Sequence, residues 1–314
     1  MPDLRLLFFG TPDFAVPALR GLSATRHPIV GVISQPDRPR GRGRKLAPTP
    51  VRAAAETLGL EVLQPEKVGD ADARAWMSVR APDLGIVVAF GQFIPKSVRE
   101  LPPHGLINAH ASLLPRWRGA APIEWALASG DERTGISVMR LVKEMDAGDV
   151  CLRRTLEIGA HETAGELSAR LAQLAGEVLV EAVDQIAAGR ARFEPQPEQG
   201  VMLAPKIDRS FAELDWRQPR ARVYARIRAA TPRPGADIVL KRSGRSLRIV
   251  ACRPGEGDAA PQPGAVVAAS GCLRVSAADG WIELLSVQAQ GRKPLDAGEY
   301  LRGASIVAGE EVEA

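Results

Sequence analysis

The chain has 314 residues, 45% of them hydrophobic and 25% charged. This length predicts two domains, and this composition excludes a disordered chain. The uncharged apolar runs are shorter than the ~18 to 20 residues that span a bilayer, and the apolar run near the start, Leu6 to Phe9, is shorter than the ~7 to 15 residues of a signal-peptide core. We therefore expect a cytoplasmic protein without a membrane segment.

The positive charge of the chain is concentrated after residue 205. Residues 1–204 carry 24 basic and 24 acidic side chains, whereas residues 206–253 carry 13 basic and 4 acidic ones. Such a surplus favours a polyanionic partner, with a solvated arginine-rich face as the alternative.

The three cysteines lie far apart and form no C-x-x-C pair. Neither a disulfide framework nor a metal site is therefore predicted.

Short apolar runs alternate with helical patterns up to about residue 189. The predicted strands are Leu4 to Phe9, Ile29 to Ile33, Glu61 to Leu63, Leu84 to Ala89 and Leu106 to Ala109, with edge strands at Ile136 to Leu141 and Val150 to Ile158. The predicted helices are one that Asp13 caps, Val51 to Leu58, Ala71 to Arg80 and Glu166 to Ile186. This alternation predicts an α/β fold with a doubly wound, mostly parallel, Rossmann-like sheet. The first turn has no G-x-G-x-x-G pattern, so dinucleotide binding is not predicted.

The remainder of the chain has a different pattern. Residues 190–207 lose the periodicity and contain three prolines and a glycine, which favours a linker. A helix around Val223 to Ala230 and a series of short strands separated by glycine-rich turns then predict a small β-barrel of the OB-like kind. We therefore expect a first domain at 1–189, a linker at 190–207 and a C-terminal domain at 208–314, whose barrel and basic surplus favour nucleic-acid binding.

A basic loop follows the second predicted strand. Residues 34–52 contain a single acid, Asp37, against six basic residues: Arg38, Arg40, Arg42, Arg44, Lys45 and Arg52. The loop is longer than the ~2 to 6 residues of an ordinary connection in an α/β unit. It therefore predicts contacts to phosphate groups. The alternative, a mobile surface loop, leaves its charge unexplained.

Two polar side chains lie near the end of the strand at Leu106 to Ala109. Asn108 and His110 are two residues apart and therefore point to the same face of a strand. The carboxyl ends of parallel strands are where open α/β sheets bind ligands. An amide donor beside an imidazole suits stabilising an oxyanion and moving a proton during acyl transfer. A histidine at a strand end is as often structural, so this pair alone leaves both interpretations open.

A third candidate, Asp146, lies on a glycine-containing turn, Asp146 to Asp149. A carboxylate that approaches the imidazole of His110 would orient the ring and favour its charged form. A D-x-G turn is common without any function. The combination of the three residues is what predicts a catalytic site.

Four strings of the sequence resemble the methionyl-tRNA formyltransferases, a branch of the 10-formyltetrahydrofolate-dependent formyltransferases. They are Phe9 to Phe14 (FGTPDF), Gln35 to Pro39 (QPDRP), His110 to Pro122 (HASLLPRWRGAAP) and Asp146 to Asp149 (DAGD). The resemblance continues through Asp215-Trp216 and Ile227 to Ala236, so it runs nearly end to end.

The resemblance implies transfer of a formyl group from the co-substrate 10-formyltetrahydrofolate to the α-amine of initiator methionyl-tRNA, in translation initiation. It implies that the catalytic residues are Asn108, His110 and Asp146, and that the folate-contacting residues are Ser112, Leu113, Leu114 and Pro115. Arg42 matches an arginine that engages the tRNA acceptor end, and we expect the same role for its neighbours Arg38, Arg44 and Lys45. The reaction needs no metal. We expect a monomer, because a bulky tRNA requires both domains to be uncovered.

Other functions share parts of this pattern. A formyltransferase for a small amine, such as a glycinamide purine precursor or an amino sugar nucleotide, would use the same three residues but would not explain the basic loop and the barrel. A formyltetrahydrofolate hydrolase usually begins with a regulatory domain. A non-enzymatic scaffold that binds nucleic acid would leave the set of Asn108, His110 and Asp146 to chance.

Overall fold

The chain divides into two units, each built from separate stretches of sequence. This computed structural model describes residues 3–40, 45–257, 262–269, 271–304, 306 and 309–313. The first unit comprises Met1–Gly119, Arg133–Glu157 and Ser168–Ala204, and the second comprises Ala120–Glu132, Ile158–Leu167 and Pro205–Ala314. The first unit thus includes residues 190–204. The division into catalytic domain, linker and tRNA-binding domain stays a prediction.

The regular elements before residue 205 alternate as the sequence pattern indicates. The strands are β1 (Leu6–Gly10), β2 (Ile29–Ile33), β3 (Arg38–Arg40), β4 (Lys45–Ala47), β5 (Val62–Leu63), β6 (Leu84–Val88), β7 (Leu106–His110), β8 (Arg118–Gly119), β9 (Arg133–Arg140), β10 (Val150–Glu157) and β11 (Leu203–Ala204). The helices are α1 (Val16–Ser23), α2 (Pro50–Thr57), α3 (Ala71–Val79), α4 (Lys96–Arg99), α5 (Pro122–Ser129) and α6 (Ala164–Ala187). Of these, α5 and the first four residues of α6 belong to the second unit.

Seven strands form the central sheet of the first unit, in the order β10-β9-β7-β6-β1-β2-β5. The five strands from β7 to β5 in this order run parallel. β9 runs in the opposite direction and pairs antiparallel with both β7 and β10. Both β1 and β6 are buried along their whole length, as expected for parallel strands covered on both faces. The predicted doubly wound, mostly parallel sheet is confirmed.

Two local predictions are wrong. β9 is not an edge strand, because antiparallel pairing with β7 on one side and β10 on the other buries six of its eight residues. Asp13 does not cap a helix: it begins a 3₁₀ turn, Asp13–Ala15, and α1 starts after it with Ala15 as its N-cap and no side-chain capping bond. Pro17 in the first turn of α1 accounts for this later start, since a proline suits the first turn of a helix.

The carboxyl ends of the parallel strands place the candidate residues at one edge of the sheet. His110 is the last residue of β7, and the basic loop follows β2. β6 and β1 lie between these two strands. At a spacing of ~4.8 Å between neighbouring strands, the ends of β7 and β2 are about 14 Å apart. One extended ligand could therefore contact both.

The second unit contains a separate antiparallel sheet. Its strands are β12 (Asp237–Val239), β13 (Ser246–Pro254), β14 (Val266–Ala269), β15 (Cys272–Ser276), β16 (Trp281–Ala289) and β17 (Leu295–Asp296), and its later helices are α7 (Arg220–Ala230) and α8 (Ala297–Gly303). The strands follow the order β12-β13-β16-β15-β14, with β17 paired to β16. The sheet curls into a half-barrel, so the predicted small C-terminal β-barrel domain is confirmed in this form.

His27 is a structural histidine of the first unit. Its side chain is 1% exposed, its Nδ1 accepts a hydrogen bond from the Leu4 amide at 2.9 Å, and its Nε2 lies 3.2 Å from Asp184 Oδ1. Replacing His27 by leucine leaves the buried Leu4 amide without its acceptor. We expect this change to lower the free energy of unfolding by about 1 to 3 kcal/mol, measured by urea denaturation of both proteins.

The pH dependence of stability gives a further readout for the same variant. Hydrogen bonds from His27 and Arg26 hold the pKa of the Asp184 carboxyl below its ordinary value. The stabilisation from this group is therefore present above about pH 4 and lost as the pH falls through the lowered pKa. It is small, because Asp184 is half exposed. His27→Leu should weaken this loss of stability at acid pH. The same change at the exposed His104 should alter neither the free energy of unfolding nor its dependence on pH.

Candidate active site

Strand β7 presents Asn108 and His110 on one face. Asn108 lies between Val87 of β6 and Met139 of β9 and is half-buried, while His110 is 6% exposed. Within the described ranges, the side-chain amide of Asn108 makes no hydrogen bond. A donor in the middle of a sheet face is thereby left available to a ligand.

The imidazole ring of His110 lies between two acceptors. Its Nε2 is 2.7 Å from the backbone carbonyl oxygen of Trp117, and its Nδ1 is 3.5 Å from Oδ2 of Asp146. A carbonyl oxygen only accepts, so Nε2 carries a proton. Each ring nitrogen therefore faces one acceptor, and the ring is oriented from both sides.

Asp146 reaches His110 from a tightly packed turn. Its Oδ2 also accepts a hydrogen bond from the amide of Gly119 at 2.8 Å, and its side chain is 13% exposed. Gly148 packs directly on the backbone of Arg140, where any Cβ atom would collide with the carbonyl oxygen. The glycine of the D-x-G pattern is therefore required by close packing of the turn.

Two of the four non-glycine residues with a positive φ in the described part of the chain lie beside His110. Trp117 has a φ of 62° and Asp146 a φ of 50°, both in the left-handed region that residues other than glycine avoid. Each such residue costs on the order of 1 to 3 kcal/mol and persists only where its surroundings hold it. These are the two residues that supply the acceptors to the imidazole. The site is thus held in place by contacts from outside these residues.

One of the outside contacts comes from Gln196, which the sequence analysis missed. Its Nε2 donates to the carbonyl oxygens of Asp146 and Gly148, each at 2.8 Å. Its Oε1 accepts from Nε and Nη2 of Arg118 at 3.0 and 2.7 Å. Gln196 lies in the segment 190–207, whose loss of periodicity gave no sign of a role in the site.

The segment predicted to contact folate follows directly after β7 and comprises Ser112, Leu113, Leu114 and Pro115. Ser112 and Leu114 are buried. The Ser112 hydroxyl donates to the carbonyl oxygen of Arg116 at 2.6 Å, and the Leu114 amide donates to the Ser137 hydroxyl at 3.1 Å. The hydroxyl of Ser112 thus fixes the shape of the segment, and the half-buried Leu113 and Pro115 are its more accessible members.

The basic loop contains a short antiparallel hairpin formed by β3 and β4. Arg38 is exposed on β3, and the backbone of Lys45 begins β4. Arg42 and Arg44, which are predicted to contact tRNA, lie outside the described residues. Their role stays a prediction.

A polar network ties the base of this hairpin to the sheet. The carboxylate of Asp37 accepts a hydrogen bond from Gln64 Nε2 at 2.7 Å and from the Thr49 amide at 3.3 Å, and it contacts the Arg52 guanidinium. Burial raises the pKa of Asp37, but these hydrogen bonds and Arg52 hold it below its ordinary value overall. Arg52 also donates to Gln64 Oε1 at 3.0 Å and to Glu56 at 2.7 Å. Arg52 therefore anchors the base of the hairpin.

Part of the basic surplus after residue 205 is also structural. The guanidinium of Arg226 lies over the ring of Phe211 at 4.4 Å, and that of Arg228 donates to the carbonyl oxygen of Glu162 at 3.0 Å. Burial lowers the pKa of both guanidinium groups. The surplus that can meet a polyanion is accordingly smaller than the sequence count.

Two kinds of feature are absent from the described part of the chain. No group of three or more His, Cys, Asp or Glu residues there is arranged to hold a metal ion. No helix there is long and apolar enough to cross a membrane.

Comparison with known families covers most of the chain. Residues 4–183 match the family model described as formyl transferase, and residues 206–305 match the formyl transferase C-terminal domain. The chain belongs to the formyltransferase family. This formyltransferase is 42% identical over 310 residues to the methionyl-tRNA formyltransferase of Halorhodospira halophila, covering 98% of the chain and 99% of that relative. It is 40% identical over 309 residues to the Solibacter usitatus protein of the same name, covering 98% of each.

Solved structures share the fold at low identity. HypX from Aquifex aeolicus, in complex with tetrahydrofolic acid, matches with a TM-score of 0.63 and 19% identity over 96% of this formyltransferase and 47% of HypX. This formyltransferase thus spans about half the length of HypX. An N-formyltransferase from Helicobacter canadensis, in complex with folinic acid and dTDP-3-aminofucose, matches with a TM-score of 0.66 and 14% identity over 91% and 99% of the two chains. At these identities the likeness concerns the fold alone.

Proposed function

We propose that this formyltransferase transfers the formyl group of 10-formyltetrahydrofolate to the α-amine of initiator methionyl-tRNA, giving N-formylmethionyl-tRNA for translation initiation. Full-length similarity to methionyl-tRNA formyltransferases supports the tRNA substrate. The observation that carries the chemistry is the approach of His110 Nδ1 to Asp146 Oδ2 at 3.5 Å, beside the amide of Asn108 on the same strand face.

The proposed reaction is an acyl transfer without a covalent enzyme intermediate. The unprotonated amine of the methionyl group attacks the formyl carbon, forming a C–N bond and a tetrahedral oxyanion. The Asn108 amide and the cationic His110 stabilise that oxyanion. Asp146, directly or through a water, takes the proton that the attacking nitrogen loses and passes it to N10 of the folate. The bond from the formyl carbon to N10 then breaks, and tetrahydrofolate leaves.

The two nitrogens of His110 have different tasks in this mechanism. The bond from Nε2 to the Trp117 carbonyl, at 2.7 Å, anchors the ring. The 3.5 Å contact of Nδ1 with Asp146 is longer than an ordinary hydrogen bond. Nδ1–H is therefore the proton that can be shared with the developing oxyanion while the carboxylate keeps the ring charged.

The proposal assigns the remaining groups by their positions. The segment from Ser112 to Pro115, directly after His110, contacts the folate, and Arg38, Arg42, Arg44 and Lys45 of the basic sequence after β2 contact the acceptor end of the tRNA. The C-terminal domain holds the acceptor arm through phosphate contacts, which set position without reading bases. The protein acts as a cytoplasmic monomer and uses no metal.

The direct test is formylation by the purified protein with 10-formyltetrahydrofolate. Initiator methionyl-tRNA should be formylated, and elongator methionyl-tRNA and small amines should react far more slowly. The KM for the tRNA should rise steeply with salt, because binding releases counterions from the phosphates. Preferred formylation of an amino sugar nucleotide or glycinamide would identify a small-amine enzyme, and release of formate without an acceptor would identify a hydrolase.

Replacing Arg42 by alanine should impair the use of tRNA selectively. Loss of one charged contact to phosphate is expected to raise the KM for initiator tRNA by about tenfold or more, since hydrogen bonds to charged groups contribute about 1.5 to 3 kcal/mol. The Kd for tetrahydrofolate should stay unchanged, as measured by equilibrium dialysis. Arg20→Ala removes the same charge from the last turn of α1, near the opposite edge of the sheet, and should leave both constants unchanged. Equal effects of the two variants would refute the assignment of Arg42.

A further inference from the structure

The side-chain amide of Gln196 uses its full hydrogen-bonding capacity. A glutamine amide has two donor hydrogens and an oxygen with two lone pairs. The NH₂ group donates to two carbonyl oxygens of the turn that carries Asp146, with a longer contact of 3.9 Å to Met139 Sδ, and the oxygen accepts twice from the guanidinium of Arg118. The amide therefore connects two segments that are distant in sequence.

These two segments supply the surroundings of the His110 ring. Arg118 lies between Trp117, whose carbonyl oxygen accepts from Nε2, and Gly119, whose amide binds the Asp146 carboxylate. The turn on the other side of Gln196 carries the carboxylate that faces Nδ1. The separation of the two acceptors of His110 thus depends on how β8 and the turn are joined.

We propose that Gln196 is a positioning residue for formyl transfer, which sets the carboxylate of Asp146 against His110 by holding its turn to β8. This inference rests on the proposed function. Gln196 does not touch the reacting atoms in this arrangement and acts through Asp146.

The strained backbone explains why such a residue is needed. Asp146 at a φ of 50° would relax if its turn were free. The Gly119 amide donates a hydrogen bond to the side chain of Asp146. This bond does not hold the backbone of the turn, which therefore needs contacts from other groups. Gln196 binds the carbonyl oxygen of Asp146 itself and that of Gly148 two residues later. It therefore restrains the turn on both sides of Ala147.

The isosteric change Gln196→Glu tests this role. Glutamate still accepts from Arg118, but it turns an oxygen, in place of an NH₂ group, towards the two carbonyl oxygens. The turn should move away while the bond to β8 remains. We expect kcat for initiator methionyl-tRNA to fall by about tenfold to a hundredfold, since misplacing a reacting group by about 1 Å costs on the order of a hundredfold. The KM for tRNA and the Kd for tetrahydrofolate should stay within about twofold.

Two companion variants separate positioning from general damage. Gln199→Glu makes the same change of charge at an exposed glutamine three residues away and should have the parent kcat. Gln196→Met keeps the size of the side chain and removes its hydrogen bonds to Arg118 and to the turn, so its kcat should fall at least as far as that of Gln196→Glu. Thermal unfolding and the amplitude of the first turnover report the folded, active fraction of each protein.

A double-mutant cycle with Asp146→Asn provides the decisive measurement. If Gln196 acts through the Asp146 carboxylate, Gln196→Glu should cost less than about threefold in kcat once that carboxylate is absent. Full additivity of the two changes, a parent-like kcat for Gln196→Glu, or a loss explained by a smaller active fraction would each overturn the inference. The parent protein in the same assay tests the proposed function separately. If the parent fails to formylate initiator tRNA, the proposed function is wrong. If the parent is active and Gln196→Glu is equally active, only the role of Gln196 is refuted.

Discussion

Replacing His110 by alanine is expected to lower kcat for formyl transfer by about a hundredfold to ten-thousandfold. The ring is proposed to donate to the oxyanion, and one such donor contributes about 2.7 to 4 kcal/mol of barrier lowering. The ring also faces the Asp146 carboxylate at 3.5 Å, so its loss also disturbs the group that carries the proton in the proposed mechanism. Losing both in one change makes this one of the two largest effects that we expect.

Binding measurements decide whether the loss belongs to chemistry. The Kd for tetrahydrofolate and the KM for tRNA should stay within a few-fold of the parent values, because the ring is nearly buried and binds protein atoms on both sides. The exposed His104→Ala serves as the matched control and should have full activity. A His110→Ala protein with near-normal turnover would exclude the proposed mechanism.

The shared face of Asn108 and His110 could be predicted because successive side chains of a strand alternate between its two faces. The apolar run that begins at Leu106 predicts a strand, and the period alone puts Asn108 and His110 on one side. The structure confirms the strand and extends it to His110. Local patterns also predict β1 and β6, which are buried along their whole length, and β2, whose last three residues are buried.

The position of Asp146 could not be obtained from such periods. The chain leaves β9 beside the opposite end of β7, where the Leu141 amide donates to the carbonyl oxygen of Leu106. From Leu106 to His110 is about 13 Å along the strand, so the turn has to fold back across the sheet face. The groups that hold it there, Gly119 and Gln196, belong to other parts of the chain. This carboxylate was assigned to the site by the resemblance to a known family, since no periodicity of the sequence places it there.

The hairpin after β2 shows a second limit of sequence reasoning. Its charge predicts a phosphate contact, but arginine and proline residues give no apolar alternation, so β3 and β4 were not predicted. Side chains distant in the sequence, among them Gln64 beside Asp37, hold the base of the hairpin. Such polar pairs form only after the sheet has brought the ends of β2 and β5 together.

Asp146→Asn should produce the other large loss of kcat. This change removes the negative charge of the side chain and keeps its size and shape. The same oxygen, Oδ2, faces His110 Nδ1 and accepts from the Gly119 amide. Because that amide requires an acceptor, the asparagine should place its carbonyl oxygen there and keep the turn in place. What disappears is the negative charge that keeps His110 cationic and the site that takes the amine proton.

We expect kcat of Asp146→Asn to fall by about a hundredfold to ten-thousandfold, as is typical when general acid–base catalysis is lost, with the Kd for tetrahydrofolate and the KM for tRNA nearly unchanged. Single-turnover measurements with excess enzyme separate this loss from slow product release. Glu144→Gln removes an exposed carboxylate from the same loop and should be fully active. If Asp146→Asn kept turnover within about tenfold of the parent, the contact at 3.5 Å would be structural, and the proton would have to leave the attacking amine by another group.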